Sequence, residues 1–160
     1  MRGKKLALAL AVLVSVASLT ACGGSKVAES STNLPTVTGD QGMEPTISAP
    51  SGTPPTTLIT KDIFEGTGSP AVAESTMTVH YTLMAWSTGK VVESSWASGE
   101  PATFPLARVI AGWQQGIPGM KVGGRRLLVI PPDLGYGAAG GGSIGPNETL
   151  VFVVDAIAIA

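Results

Sequence analysis

Apolar and polar side chains alternate along several short stretches after residue 57, the pattern of β-strands that bury one face. In the stretch 76–83 the apolar positions are Met77, Val79, Tyr81 and Leu83, so these four side chains are predicted to share one face of a strand. Further strands are predicted at residues 58–64, 90–95, 125–130 and 149–159.

One stretch, residues 108–117, has helical spacing. It is short, contains Gly112 and Gly116, and ends before Pro118. Several strands and one brief helix predict an α+β fold in which an antiparallel sheet of five to six strands wraps around the helix.

The composition changes upstream of this strand-rich part. Of the 35 residues 23–57, 22 are Gly, Ser, Thr or Pro, five are large apolar residues and none is aromatic. Such a segment is too polar to build a core, and Pro54-Pro55 precedes the first apolar strand. We therefore predict a disordered linker over residues 22–54 and one folded domain over residues 55–160.

The first 21 residues are predicted to be a secretory signal peptide. Cations at positions 2, 4 and 5 precede an apolar run over residues 6–17. Twelve helical residues reach about 18 Å, whereas a bilayer core is about 30 Å thick, so this run is too short to span a membrane.

The run leads into Leu19-Thr20-Ala21-Cys22, which resembles a bacterial lipobox. By that resemblance Cys22 becomes the acylated first residue of the mature protein. The expected location is then the extracytoplasmic face of the cell membrane, with the membrane as a partner through a lipid anchor. The alternative is an ordinary signal peptide followed by an incidental cysteine.

Charge and composition exclude several classes of function. The formal net charge is −1 and the cations are scattered, so no nucleic-acid-binding surface is expected. Cys22 and His80 are the single cysteine and the single histidine, which excludes an internal disulfide and a zinc site built from these residue types. No cofactor and no metal are expected.

A series of motifs in the strand-rich part resembles the FKBP family of peptidyl-prolyl cis-trans isomerases. They include Val79-His80-Tyr81-Thr82, Ser94-Ser95, Val109-Ile110-x-Gly112-Trp113, Gly119-Met120-Lys121-Val122-Gly123-Gly124-Arg125-Arg126, Leu134-Gly135-Tyr136-Gly137 and Thr149-Leu150-x-Phe152. The motifs occur in the family's order and at its spacing across residues 58–157.

The resemblance implies an apolar pocket that receives the proline ring of a substrate, with Trp113 as its floor. It also implies that the backbone N–H of Ile110 and the hydroxyl of Tyr136 donate hydrogen bonds to the ligand. The catalytic residues implied are Tyr81, Glu93, Trp113, Tyr136 and Phe152. The substrate-binding residues implied are Val92, Phe104, Val109, Ile110 and Ile144.

The sequence departs from the family's pattern at several of these positions. Val92 and Glu93 stand where Phe-Asp is usual, and Ala102 stands where an aromatic residue is common. Gly140 lies where many members carry a histidine, and Ser143 replaces an apolar residue. We therefore expect a wider and wetter pocket, with Glu93 either an electrostatic neighbour of the twisting carbonyl or a solvated strand carboxylate.

The predicted function is a peptidyl-prolyl isomerase that assists the folding of exported proteins at the membrane surface. Its expected partners are X–Pro segments of unfolded or flexible proteins, macrolide inhibitors are candidate ligands, and a monomer is expected. His80 alternates with Val79 and Tyr81, so its side chain is predicted to point away from the pocket. The alternative function is a catalytically weak FKBP-like module that binds peptides or a partner protein.

Overall fold

Eight β-strands and one short α-helix follow one another in residues 34–160, the part of the chain that the computed structural model describes. The strands are β1 (Val37–Thr38), β2 (Thr46–Ile47), β3 (Ile59–Phe64), β4 (Thr76–Ala85), β5 (Lys90–Ser94), β6 (Ala102–Pro105), β7 (Arg125–Ile130) and β8 (Leu150–Ile159), and the helix is α1 (Ala111–Gly116). Turns of 3₁₀-helix occupy Ser95–Ser98, Leu106–Arg108 and Pro132–Leu134. The five predicted strands and the helix are present, whereas β1, β2 and β6 were not predicted.

Six of the strands form one antiparallel sheet in the order β3-β7-β8-β4-β5, and β6 pairs with β4 as well. The β4–β8 pair is the longest and runs from Met77 opposite Ile159 to Ala85 opposite Leu150. The predicted α+β class and the six-stranded antiparallel sheet with one short helix are thus confirmed.

Helix α1 approaches strand β7 closely because two of its residues have no side chain. A Cβ on Gly112 would overlap the side chain of Ile130, and a Cβ on Gly116 would lie 2.5 Å from Cδ2 of Leu128. The two glycines that weaken the helical pattern in the sequence are therefore the ones that let the helix pack on the sheet.

Arg126 holds the end of this helix against the sheet. Its Nη1 donates a hydrogen bond to the carbonyl of Gly116 at 2.8 Å, and its Nε lies 2.6 Å from the carboxylate of Asp62 in β3. A cation at the C-terminal end of a helix also opposes the negative end of the helix dipole. Arg126 on β7 thereby connects the end of helix α1 with strand β3, close to the helical residues of the predicted site.

The space between helix and sheet is filled by an inner cluster of buried apolar side chains. Met77, Val79, Tyr81 and Leu83 all belong to it, which confirms the predicted face of β4. The sheet and the helix complete it with Trp113, Ile117, Leu128, Ile130, Leu150, Phe152 and Val154, among others.

The opposite face of the sheet carries an outer cluster of buried apolar side chains, which was not predicted. Its buried members are Met84, Trp86, Leu127, Val129, Val151 and Val153. Residues 34–54, called the N-terminal strap from here on, cover this face. Strands β1 and β2 of the strap form a short antiparallel pair, and Leu34, Val37 and Ile47 pack against the cluster.

The strap contradicts the predicted disordered linker over residues 34–54 and the prediction that the domain begins at residue 55, while residues 22–33 of that linker lie outside the described part of the chain. The described residues 34–160 all belong to one compact unit. The physical reason is that a segment too polar to build its own core can still supply three apolar side chains to a face that the sheet has already made. The predicted signal peptide and Cys22 lie outside the described residues.

Within residues 34–160, no helix has the length and apolar character needed to cross a membrane.

Candidate active site

A cavity of about 390 Å³ opens between helix α1, the sheet and the loops that follow β6 and β7. Five aromatic side chains line it: Tyr81, Phe104, Trp113, Tyr136 and Phe152. Aliphatic and charged side chains complete the lining: Leu83, Glu93, Arg108, Val109 and Ile110. A proline ring is apolar and compact, so a cavity lined in this way suits it.

Trp113 is the centre of the aromatic group. Its ring meets those of Tyr81, Phe104 and Phe152 nearly at right angles, with centroids 6.0, 5.8 and 5.3 Å away. Edge-to-face pairs of this kind are stabilising, so the indole has little freedom to tilt. Trp113 is 4% exposed, and its Nε1 has no hydrogen-bond partner among the described residues.

The hydroxyl of Tyr81 donates a hydrogen bond to the carboxylate of Glu93 at one side of the cavity. Burial raises the pKa of the Tyr81 phenol, and the hydrogen bond to Glu93 and the negative charge of Glu93 raise it further. Tyr81 therefore remains a neutral donor across the physiological pH range. Glu93 is an exposed residue, and this hydrogen bond connects its carboxylate to the cavity.

Ser95 fixes the backbone from which Tyr81 projects. Its Oγ accepts a hydrogen bond from the N–H of Tyr81 at 2.9 Å. Ser94, the preceding residue, accepts from the N–H of Trp96 at 3.3 Å and so begins the 3₁₀ turn after β5. Ser95 therefore holds the residues after β5 against β4 next to the cavity, and Ser94 caps the turn that follows β5.

The two donors that the family resemblance implies as ligand contacts have no partner among the described residues. One is the backbone N–H of Ile110, whose carbonyl accepts from the N–H groups of Trp113 and Gln114 at 3.0 and 3.2 Å. The preceding carbonyl, that of Val109, accepts from the side chain of Gln114 at 2.8 Å. The carbonyl groups of Val109 and Ile110 thus fix the backbone at this point, while the N–H of Ile110 stays available to a ligand.

The second donor is the hydroxyl of Tyr136, a residue that is 43% exposed. Its ring lies against Gly141 in the loop between β7 and β8, where an added Cβ would sit 3.0 Å from the ring. Gly140 has a φ of +69°, and a Cβ there would overlap the carbonyl of Ile144. Any larger side chain at residue 140 would require this loop to move.

Most of the predicted site residues come together at the cavity. All five residues implied as catalytic line it, as do Phe104, Val109 and Ile110. Val92 and Ile144 do not line it, because Val92 packs against the inner cluster and Ile144 is buried within that cluster. Valine in place of an aromatic residue at position 92 therefore changes the packing of the inner cluster next to the cavity, and it does not change the cavity lining itself.

Two lining residues, Leu83 and Arg108, were not among the site residues predicted from the sequence. Leu83 could have been found, because it alternates with Tyr81 on the same predicted strand face. Arg108 gave no comparable signal beyond its position directly before Val109-Ile110.

His80 lies outside the cavity, as its alternation with Tyr81 predicts. Its ring stacks on Trp96 with centroids 3.9 Å apart, and its Nδ1 lies 3.0 Å from the hydroxyl of Ser95. His80 thus supports the serine that holds Tyr81. In residues 34–160, no three His, Cys, Asp or Glu side chains come together in the manner of metal ligands.

Comparisons with known proteins agree with this geometry. The sequence model of the family described as FKBP-type peptidyl-prolyl cis-trans isomerase matches residues 68–157. An "FK506-binding protein" of Streptomyces anulatus is 51% identical over 120 residues, which cover 72% of this chain and 97% of that protein. A "Probable FK506-binding protein" of Corynebacterium glutamicum is 46% identical over 114 residues, which cover 71% of this chain and 97% of that protein.

Residues 55–160 are 106 of the 160 residues, about two thirds of the chain, whereas the two matches cover 72% and 71% of it. Both matches therefore include residues of the strap.

Solved structures show the same fold. The crystal structure of FkpA from Escherichia coli aligns with a TM-score of 0.61 and 39% identity, covering 64% of this chain and 47% of that one. The crystal structure of AtFKBP13 aligns with a TM-score of 0.59 and 38% identity, covering 64% of this chain and 93% of that one. The sequence match, the fold and the aromatic cavity agree, and the chain belongs to the family of FKBP-type peptidyl-prolyl cis-trans isomerases.

Proposed function

We propose that this isomerase acts on X–Pro bonds in unfolded or flexible segments of exported proteins while it is held to the outer face of the cell membrane by lipid on Cys22. The observation that carries the catalytic part is the cavity around Trp113, which combines aromatic walls with unpartnered donors. The proposal also takes the protein to be a monomer, which light scattering after size-exclusion chromatography would test.

Rotation about an X–Pro bond is slow because amide resonance gives it a barrier of about 18–20 kcal/mol. At the midpoint the resonance is broken, and the twisted imide carries less separated charge than the planar one. An apolar cavity that removes water from the imide therefore favours the twisted form over the ground state. We assign this part to Tyr81, Trp113 and Phe152, three of the five aromatic side chains that line the cavity.

Binding must also hold the parts of the substrate that do not rotate. The free N–H of Ile110 and the hydroxyl of Tyr136 are suited to the carbonyl groups that flank the proline. With these carbonyls held and the ring placed against Trp113, the remaining freedom is rotation about the imide bond. Glu93 acts through Tyr81, whose neutral hydroxyl it orients.

The reaction needs no transferred proton and no covalent intermediate, because only a torsion angle changes. We accordingly give Glu93 an electrostatic and orienting part, and we assign no general base.

The location rests on the sequence alone. Cys22 directly follows Leu19-Thr20-Ala21 after a charged start and a short apolar run. Leu34 is the first described residue and packs against the outer cluster, and an extended chain from Cys22 to Leu34 would span at most roughly 40 Å. Acylation would therefore hold the domain nearer to the membrane than a linker running to residue 54 would.

Exchange spectroscopy on short X–Pro peptides, with the full mature chain as catalyst, tests the catalytic part. We expect accelerated cis-trans exchange, and we expect Trp113→Ala to lower the catalysed rate roughly ten- to thirty-fold because it removes the floor of the cavity. Gln115→Ala, on the exposed side of the same helix, is the matched control. Peptide binding without faster exchange would instead identify a catalytically weak binding module.

Fractionation of cells tests the lipid anchor. Cys22→Ser should move the protein from the membrane fraction to the soluble or uncleaved pool, whereas Ser25→Ala should leave it in place. Normal processing and unchanged detergent dependence of the Cys22→Ser variant would refute the anchor and leave the isomerase assignment intact.

Both bacterial relatives named above are called FK506-binding proteins. We propose that a macrolide of that kind occupies the same cavity, and inhibition of peptide exchange by FK506 would test this.

A further inference from the structure

The cavity has one cation and one carboxylate in its lining, Arg108 and Glu93. Glu93 accepts a hydrogen bond from Tyr81. The side chain of Arg108 has neither an ion-pair nor a hydrogen-bond partner among the described residues, whereas Arg125 and Arg126 each pair with an aspartate. The cation at the cavity is therefore available to a ligand.

The backbone that carries Arg108 is well anchored although its side chain is exposed. Leu106, two residues earlier, is fully buried, and its N–H donates to the carbonyl of Ser75 at 3.0 Å. Two residues later comes Ile110, whose N–H is free at the cavity. A substrate held at Ile110 would thus lie a short distance from a cation on a fixed turn.

We propose that Arg108 is a specificity-determining residue that favours substrates with an acidic side chain one or two residues from the proline. The proposal rests on the cavity being the substrate site. Arg108 supplies the attraction, and its guanidinium can accept a carboxylate through two parallel N–H groups. Glu93 supplies the opposing effect, since its negative charge at the Tyr81 side disfavours a second carboxylate there.

The size of the effect follows from the exposure of Arg108. A solvent-exposed ion pair contributes about 0.2–1 kcal/mol, which corresponds to roughly a 1.5- to 5-fold change in an equilibrium or rate. Because such a pair is screened by salt, the preference should shrink at high ionic strength.

The test uses pentapeptides with acetylated and amidated ends, so that a side chain is the only carboxylate. Glu, Gln and Lys are placed in turn at each of the two positions before and the two after the proline. At one position at least, kcat/KM from exchange spectroscopy should rank Glu above Gln and Gln above Lys, by roughly three-fold per step at low salt. That position also reveals which side of the proline faces Arg108.

Arg108→Glu should reverse this order. Lys61→Glu is the matched control, because it makes the same charge change on β3, at the edge of the sheet remote from β5. It should preserve the order. Equal rates for Glu and Lys peptides at all four positions, or a preference that survives in Arg108→Glu, would overturn the proposal.

A second measurement separates this proposal from the catalytic one. Fluorescence anisotropy with dye-labelled forms of the same peptides reports binding even if no peptide is isomerised. Absence of exchange with every peptide would contradict the catalytic assignment. The order of the dissociation constants would still support or overturn the part given to Arg108.

Discussion

Arg125 and Asp155 form an ion pair inside the fold, opposite each other on β7 and β8. Nε of Arg125 lies 2.5 Å from one carboxylate oxygen of Asp155 and Nη2 lies 2.6 Å from the other. The Arg125 side chain is fully buried. Nη1 donates to the carbonyl of Gly39 and Nη2 also donates to that of Met43, so the pair connects the strap to the sheet as well.

The first prediction concerns this pair. Arg125→Met should lower the free energy of unfolding by about 3–5 kcal/mol, because the buried carboxylate of Asp155 is left without its partner. Urea denaturation measures the loss. Arg125→Met combined with Asp155→Leu should recover much of the stability, since no uncompensated charge remains. Equal stability of the single variant and the unchanged protein would mean that water reaches Asp155.

The second prediction concerns the strap. A chain that begins at residue 55 should unfold roughly 5–10 °C below a chain that begins at residue 34, because the outer cluster would be exposed to water. Thermal unfolding followed by circular dichroism compares the two chains. Coincident unfolding curves would restore the interpretation of residues 34–54 as a linker that contributes no burial.

The sequence contained a signal for the strap that alternation alone could not reveal. Leu127 to Ile130 and Leu150 to Val154 are unbroken apolar runs, which strands show when both of their faces are buried. An antiparallel sheet with two apolar faces requires a second covering layer, and the segment available upstream was residues 34–54. The composition of residues 34–54 shows that this segment cannot form a hydrophobic core of its own. Composition does not show whether the segment can pack on an apolar face of the sheet.

The cavity was more predictable than the strap because its residues lie on elements with strong local patterns. The alternation in β4 placed Tyr81 and Leu83 on one face, and the family motifs placed Trp113 and Phe152. Val92 and Ile144 were assigned to the wall of the cavity although they pack behind it. Such distinctions depend on the bulge between Leu83 and Met84 and on loop conformation, which local sequence does not determine.

The third prediction concerns the contact between helix and sheet. Gly116→Ala improves helix propensity, yet its Cβ would lie 2.5 Å from Leu128, so the helix should be pushed away from β7. We expect a loss of about 1–3 kcal/mol in stability and slower peptide exchange, because Trp113 moves with the helix. Gln115→Ala, which is exposed, is the control. Increased stability of Gly116→Ala would show that Leu128 can rotate away.

The last prediction concerns Tyr81, which becomes the only tyrosine when Tyr136 is changed to Phe. Burial and the negatively charged acceptor Glu93 raise the pKa of Tyr81 above the ordinary value of about 10. The resulting stabilisation is fully present below about pH 10 and is lost as the pH rises through the folded-state pKa. An alkaline titration followed by tyrosinate absorbance should therefore show the Tyr136→Phe protein ionising later than its urea-unfolded form. Adding Glu93→Gln should bring the folded transition towards lower pH, because the opposing charge is gone. Equal ionisation midpoints in the folded and unfolded protein would show that the Tyr81 phenol is solvated and that it makes no hydrogen bond to Glu93.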